Sequence, residues 1–249
     1  MRGDAVGVDR ETRCMLKASW LRAVGTWCLP PACLLCGARG QIDATGSALD
    51  LCAGCEGTLP GIKPIDEAGV GRCGSAAAPW ELLVAPHLYA WPIDHCVRTL
   101  KFEGDTACGR LLGLLLAQHR RNLVRPMPDL VVPVPLHRAR YLERGFNQAA
   151  VIGQYAARSL GVPFQARVLE RCRATAEQSH LRGAARAGNV IGACRVRPGT
   201  ALDGWRIALV DDVLTTGSTA REATRVLRAA RAASVELWVA ARAEPPQTR

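Results

Sequence analysis

The densest chemistry in the chain lies between Ile207 and Thr219. Ile207-Ala-Leu-Val210 is apolar and reads as a buried parallel strand. Two adjacent carboxylates, Asp211 and Asp212, follow at its C-terminal end, then the small hydroxyl-rich stretch Thr215, Thr216, Gly217, Ser218 and Thr219. Beyond it, Ala220 to Ala233 is rich in alanine and arginine and strongly helical in composition. A strand, an acidic pair, a hydroxyl turn and a helix make an anion cradle, because turn N–H groups and the positive helix end face a phosphate. The carboxylates suit a sugar diol. One ligand carrying a phosphate and a ribose fits both halves.

A second constellation follows another strand end. Asp129 to Pro135 reads as a strand, and His137, Arg138, Arg140 and Arg144 come within the next nine residues. Guanidinium groups match phosphate oxygens with paired hydrogen bonds. A third set is Cys33-Leu-Leu-Cys36 followed after fifteen residues by Cys52-Ala-Gly-Cys55. This spacing is that of a four-cysteine zinc site, each pair supplying two thiolates of a tetrahedron. A module so small depends on the metal for its stability. Cys28 and Cys73 flank the set without clear partners.

The elements that must position these groups alternate. Helices are expected over 92–101, 107–122, 145–160 and 220–233, and strands within 82–91 and over 129–135, 164–169, 190–196, 207–210 and 234–240. Such alternation implies a parallel sheet with flanking helices, with ligands beyond the strand C-termini. Residues 172–189 lack periodicity and carry Gly183, Gly188 and three arginines, which marks a functional loop. Gly69-Val-Gly71-Arg-Cys-Gly74 matches a dinucleotide fingerprint but lacks the strand before it and the helix after it. The expected domains are a tail at 1–27, a zinc-ribbon-like module at 28–60, a linker at 61–80 and an α/β domain at 81–245.

Composition narrows the partners. The 249 residues carry a formal charge of +10. Twelve arginines face only four acids between Ala117 and Arg186, a balance that suits a polyanionic small molecule or nucleic acid. The longest apolar run, Leu111 to Ala117, is too short to span a bilayer, so no membrane insertion is expected. The first residues carry early acids and no apolar stretch, unlike a secretory signal, and a cytoplasmic location is expected. Eleven cysteines, an odd count with C-x-x-C pairs, favour metal over disulfides.

The 207–219 segment resembles the 5-phosphoribosyl-1-pyrophosphate (PRPP) motif of type I phosphoribosyltransferases. The chain as a whole resembles the ComF subfamily of phosphoribosyltransferase-like proteins, over roughly residues 28–242. The matching elements are the cysteine-rich N-terminus, Lys101-Phe-Glu-Gly-Asp105, Pro133-Val-Pro-Leu-His137, Arg144-Gly-Phe-Asn-Gln148, Gln178 with Arg182, Arg186 and Asn189, and Asp211-Asp-Val with Thr215-Thr-Gly217. The resemblance implies a type I phosphoribosyltransferase-like fold. It implies that Thr215–Thr219 hold the 5′-phosphate of PRPP, that Asp211 and Asp212 hold the ribose hydroxyls, and that Mg²⁺ accompanies the ligand. It also implies that His137, Arg138, Arg140 and Arg144 meet the pyrophosphate, and that the 173–189 loop, with Gln178 and Arg182, closes over it.

Two departures from the family pattern matter. Val70 stands where a further C-x-x-C pair would begin, so one zinc is expected rather than two. Thr215 stands where purine-type enzymes carry an aspartate base, so the loop resembles the orotate type and argues against a purine acceptor. The resemblance implies transfer of ribosyl phosphate to an unknown acceptor. Its alternative is a non-catalytic accessory role in competence, sensing nucleotides or handling single-stranded DNA beside a competence helicase.

Overall fold

The computed structural model describes residues 30–42, 46–62, 78–172 and 192–243. Gln178, Arg182 and the 173–189 loop lie outside the described residues, as do Cys28, Cys73 and the 1–27 tail. The chain divides into two compact units at Gly57/Thr58.

In the first unit, strands β1 (Gln41–Ile42) and β2 (Ala48–Leu49) pair antiparallel. A single helical turn, α1 (Ala53–Glu56), follows. Cys52 caps it, its sulfur accepting the Cys55 N–H at 3.4 Å. Cys33, Leu49 and Leu51 are buried.

The second unit is built on a parallel sheet. In chain order its elements are β3 (Leu82–Val84), β4 (His87–Leu88), α2 (Ile93–Glu103), α3 (Thr106–Arg121), β5 (Leu130–Pro133), α4 (Arg138–Arg144) and α5 (Gln148–Leu160). They continue with β6 (Leu169–Arg171), β7 (Cys194–Val196), β8 (Arg206–Leu214), α6 (Ser218–Ala229) and β9 (Ser234–Arg242). The sheet order is β3-β9-β8-β5, all parallel, with β4 also pairing β9. β6 and β7 form a separate antiparallel ribbon.

Strand alternation sorts the core onto two faces. Ile207, Leu209, Leu237 and Val239 pack with Ala220, Ala223 and Leu227 of α6. Ala208 and Val210 face the other way, where α3 and α5 lie. A Cβ added to Gly153 of α5 would sit 3.4 Å from Val210. α3 and α5 approach closely because Gly113 has no side chain; a Cβ there would lie 2.6 Å from the Ile152 carbonyl oxygen. On this face Arg120 is fully buried. It meets Glu236 of β9 through Nε at 2.9 Å and Nη2 at 3.0 Å, and donates to the Pro126 carbonyl at 2.6 Å. The Trp238 indole N–H gives Glu236 a further bond at 2.7 Å. A buried ion pair is tolerated when its remaining donors and acceptors are satisfied in this way.

Several boundaries differ from the sequence expectation. The 145–160 helix starts later, as α5 after Asn147, whose side chain accepts the Ala149 N–H, and an unexpected short helix, α4, precedes it and ends at Gly145 with φ +79°. The expected 164–169 strand reduces to a parallel bridge of Phe164 with Val131, and the regular pairing starts only at Leu169. The 190–196 strand is regular only from Cys194. α6 begins two residues early, at Ser218, and stops at Ala229 rather than Ala233; Arg231 has φ +69°. β8 does not stop at Val210. It runs through the acidic pair to Leu214, because β9 extends alongside it and pairs Asp211 with Val239 and Val213 with Ala241.

Candidate functional site

A cleft of about 450 Å³ opens beyond the C-terminal ends of β5 and β8, where parallel sheets present ligand sites. The Thr215–Thr219 loop forms one wall. Gly217 takes φ +72°, a left-handed conformation that side chains disfavour, and this turns the chain directly into α6. Gly217 has no side chain to cap the helix, and Thr216 Oγ1 and Ser218 Oγ lie 3.2 Å apart beside it. Two hydroxyls at the N-terminus of a twelve-residue helix make an anion-accepting end.

Asp211 and Asp212 both line the cleft. Asp212 is buried, and its carboxylate is held on both oxygens. Oδ1 accepts the Val213 N–H at 2.8 Å, and Oδ2 accepts from Gln148 Nε2 at 3.4 Å. Asp211 Oδ1 accepts the Asp212 N–H at 2.9 Å. Burial, reinforced by the Asp212 charge, pushes the Asp211 carboxyl well above the usual carboxylate range, against a smaller downward pull from Lys101. Burial also raises the Tyr89 hydroxyl, which lines the same cleft, with the charges of Asp94 and Asp212 adding to the effect.

The opposite wall is cationic. His137, Arg140, Arg144 and Lys101 line it. His137 caps α4: its Nδ1 accepts the Ala139 N–H at 3.2 Å, so a neutral ring keeps its own proton on Nε2. Arg140 pairs with Glu143 at 3.0 Å. Lys101 Nζ and the Arg144 guanidinium lie 5.9 and 5.8 Å from the exposed Phe102 ring. Asn147 ties this wall to the sheet by donating to the Val134 carbonyl at 3.0 Å. Arg138 is exposed and does not line the cleft, because it starts α4 on the solvent side. The sequence reading assigned no role to Lys101 and Gln148. Both stood in short segments noted for their family resemblance, but nothing local showed that either chain position reaches β8.

The second candidate site is in the first unit. The sulfurs of Cys33, Cys36, Cys52 and Cys55 all lie within 4.8 Å of one another, a cluster that could hold a metal ion. Cys36 and Cys52 sulfurs are 3.6 Å apart. A tetrahedral zinc with bonds of about 2.3 Å needs sulfur–sulfur edges of about 3.8 Å, so the donor set fits that ion. Contacts with Cys36 and Cys52 push the Cys55 thiol up to about 12, because neighbouring sulfurs disfavour a further negative charge.

The parallel sheet with helices on both faces and a hydroxyl loop at the end of β8 resemble the type I phosphoribosyltransferase fold. No family model matches the chain. DNA utilization protein YhgH of Salmonella typhi is 36% identical over 199 residues, 78% of this chain and 85% of that protein. Competence protein F of Haemophilus influenzae is 28% identical over 225 residues, 85% of this chain and 96% of that protein. The chain belongs to the family of these proteins, the ComF family. Among solved structures, the glutamine PRPP amidotransferase of B. subtilis matches with a TM-score of 0.37 and 22% identity over 53% of this chain, and the match spans only 26% of the amidotransferase. Among the described residues, no helix is long and apolar enough to cross a membrane.

Proposed function

We propose that the protein binds PRPP as its Mg²⁺ complex and transfers ribosyl phosphate to an acceptor. The observation that carries this reading is the meeting of three groups in one cleft: the 215–219 loop, the acidic pair, and the wall of His137, Arg140, Arg144 and Lys101. The α6 N-terminus with Ser218 and Thr219 takes the 5-phosphate. The acidic end of β8 takes the sugar, and the cationic wall takes the pyrophosphate. In the reaction the bond from the sugar C1 to pyrophosphate breaks, a bond from C1 to the acceptor forms, and the acceptor loses its proton. The cationic wall stabilises charge growing on the leaving pyrophosphate, the largest electrostatic demand of such a step. Four cysteines, 33, 36, 52 and 55, hold one Zn²⁺ in the first unit.

Titration calorimetry with ribose 5-phosphate and with PRPP and Mg²⁺ tests the ligand. Heat with both, and a larger affinity for PRPP, is expected. No heat with either defeats the reading. PRPP-dependent pyrophosphate release across an acceptor panel tests turnover.

A second reading, accessory handling of single-stranded DNA, has one specific observation behind it. His95, Arg98 and Phe102 lie on the solvent side of α2, Trp91 stands in the turn just before it, and Trp91 and Phe102 are 68% and 71% exposed. Trp91 and His95 rings lie 5.2 Å apart, and Arg144 covers Phe102. Aromatic platforms interleaved with cations suit stacked bases of a single strand. The relatives' names, DNA utilization protein and competence protein, point the same way. Salt-sensitive single-strand binding without pyrophosphate release favours this role.

A further inference from the structure

The cationic wall of the cleft is drawn from two separate segments. Lys101 comes from the last turn of α2, and Arg144 from the last turn of α4. α2 ends at Gly104, whose left-handed φ of +75° turns the chain towards Asp105, the cap of α3. The same glycine lies against the residues that follow α4: a Cβ built on it would sit 3.7 Å from Cε1 of the Phe146 ring. The two segments therefore touch, and their cations reach the same cleft.

One side chain meets both cations. The centroid of the Phe102 ring lies 5.9 Å from Lys101 Nζ and 5.8 Å from Arg144 Cζ. Both are cation–π distances. An exposed phenylalanine alone needs no explanation. One ring shared by two cleft cations from different helices is a more specific arrangement. It also differs from an acid in what it leaves free. Glu143 holds Arg140 by accepting an N–H at 3.0 Å, and a carboxylate so placed competes with an incoming phosphate. A ring attracts a cation through its negative face and is a much weaker acceptor than a carboxylate. Most ammonium and guanidinium donors then remain for ligand oxygens.

We propose that Phe102 is a positioning residue, its ring holding Lys101 and Arg144 in place for the pyrophosphate group of PRPP. This inference deepens the phosphoribosyl reading given above and rests on it. It concerns the pyrophosphate end alone, because in that reading the 5-phosphate goes to the α6 N-terminus.

The test is calorimetry on the full chain with ribose 5-phosphate, and with PRPP and pyrophosphate in Mg²⁺. Phe102→Leu keeps apolar bulk but has no ring face, and Phe102→Trp keeps the face. Phe102→Leu should weaken PRPP and pyrophosphate by about three- to tenfold, the scale of one or two exposed cation–π contacts. Ribose 5-phosphate should bind as in the wild type. Phe102→Trp should bind all three as the wild type does, or bind PRPP more tightly. With Lys101→Met and Arg144→Met already in place, Phe102→Leu should cost nothing further, since a residue acting through others loses its effect with them. Wild-type PRPP binding in Phe102→Leu overturns the inference. So does equal weakening of ribose 5-phosphate, no rescue by tryptophan, or an undiminished loss in the doubly substituted background. Loss of thymidine oligonucleotide binding with PRPP binding intact overturns it too, and makes the ring a platform for bases. A wild type that binds neither PRPP nor ribose 5-phosphate defeats the phosphoribosyl reading itself, and the inference with it. If Phe102→Leu lowers the melting temperature, Phe102→Met carries the same expectations.

Discussion

The two units of this chain solve the problem of stability differently. Among the described residues of the first, the buried apolar side chains are Cys33, Leu49 and Leu51. Two buried leucines contribute about 3–6 kcal/mol. Ordering even half a dozen residues costs more, at about 1–2 kcal/mol each for the backbone. The four cysteines make up the difference if they close on a metal. The second unit buries whole strands, from Leu130–Val132 to Val235–Ala241, against helices on both faces, and needs no metal to hold them. The comparison teaches that the same chain can place its chemistry either in the stabilising element itself, as at the cysteines, or on the rim of an element stabilised by other residues, as at β8.

Breaking the metal site should give the largest effect. Cys36→Ser removes one of four ligands where structural zinc contributes about 10–16 kcal/mol of apparent binding free energy. The first unit should unfold while the second keeps its cooperative transition. Hydrogen exchange resolved by segment would show it, and elemental analysis should fall from one zinc per chain towards none. Full protection of residues 30–57 in the metal-free variant would remove the contrast between the units.

The reciprocal test strikes the sheet. Leu209 is fully buried on the α6 face, and Leu209→Ala leaves a cavity worth about 2–5 kcal/mol. The urea midpoint of the second unit should drop, with zinc content unchanged.

Acid should also act on the second unit. His87 is buried, and burial, with a smaller contribution from the charge of His119, lowers it from 6.5 to about 4. The folded form therefore resists protonation that the unfolded chain accepts. The stability tied to a neutral His87 is fully present above about pH 6.5. It is lost as pH falls towards 4, by about 3 kcal/mol at the limit. Urea melts between pH 7 and 4.5 should be less steep in pH for His87→Leu than for the wild type. Parallel curves would show that His87 does not carry this sensitivity.

The smallest expected effect is at the site. Asp212→Ala deletes a charged hydrogen-bond acceptor worth about 1.5–3 kcal/mol. Binding of PRPP should weaken by about ten- to a hundred-fold with little change in the melting of either unit. A large loss of stability instead would mean that Asp212 serves the sheet more than the ligand.

Much of this was legible in the sequence because it rests on local pattern. The apolar run before Asp211, the glycine at 217 and the alanine-rich segment after it specify strand, left-handed turn and helix from neighbours alone. The C-x-x-C spacing brings its own sulfurs together because each pair spans one tight turn. Alternating strands and helices fixed the parallel sheet by the same logic. The element ends were less legible. Where the 145–160 helix starts depends on whether Asn147 finds the Val134 carbonyl, a partner thirteen residues away.

The sequence by itself determined which residue types meet a phosphate and a metal, since those depend on spacing within one turn or one strand end. Only the tertiary structure decided that the acidic pair lies within a paired strand rather than after it. That depends on β9 continuing beside β8 past Asp211, a pairing between segments almost thirty residues apart. It also decided that Lys101 and Gln148 join the cleft and that Arg138 does not. Those outcomes are set by how α2, α4 and α5 pack around the strand ends, and packing between distant elements leaves no period in a chain read one residue after another.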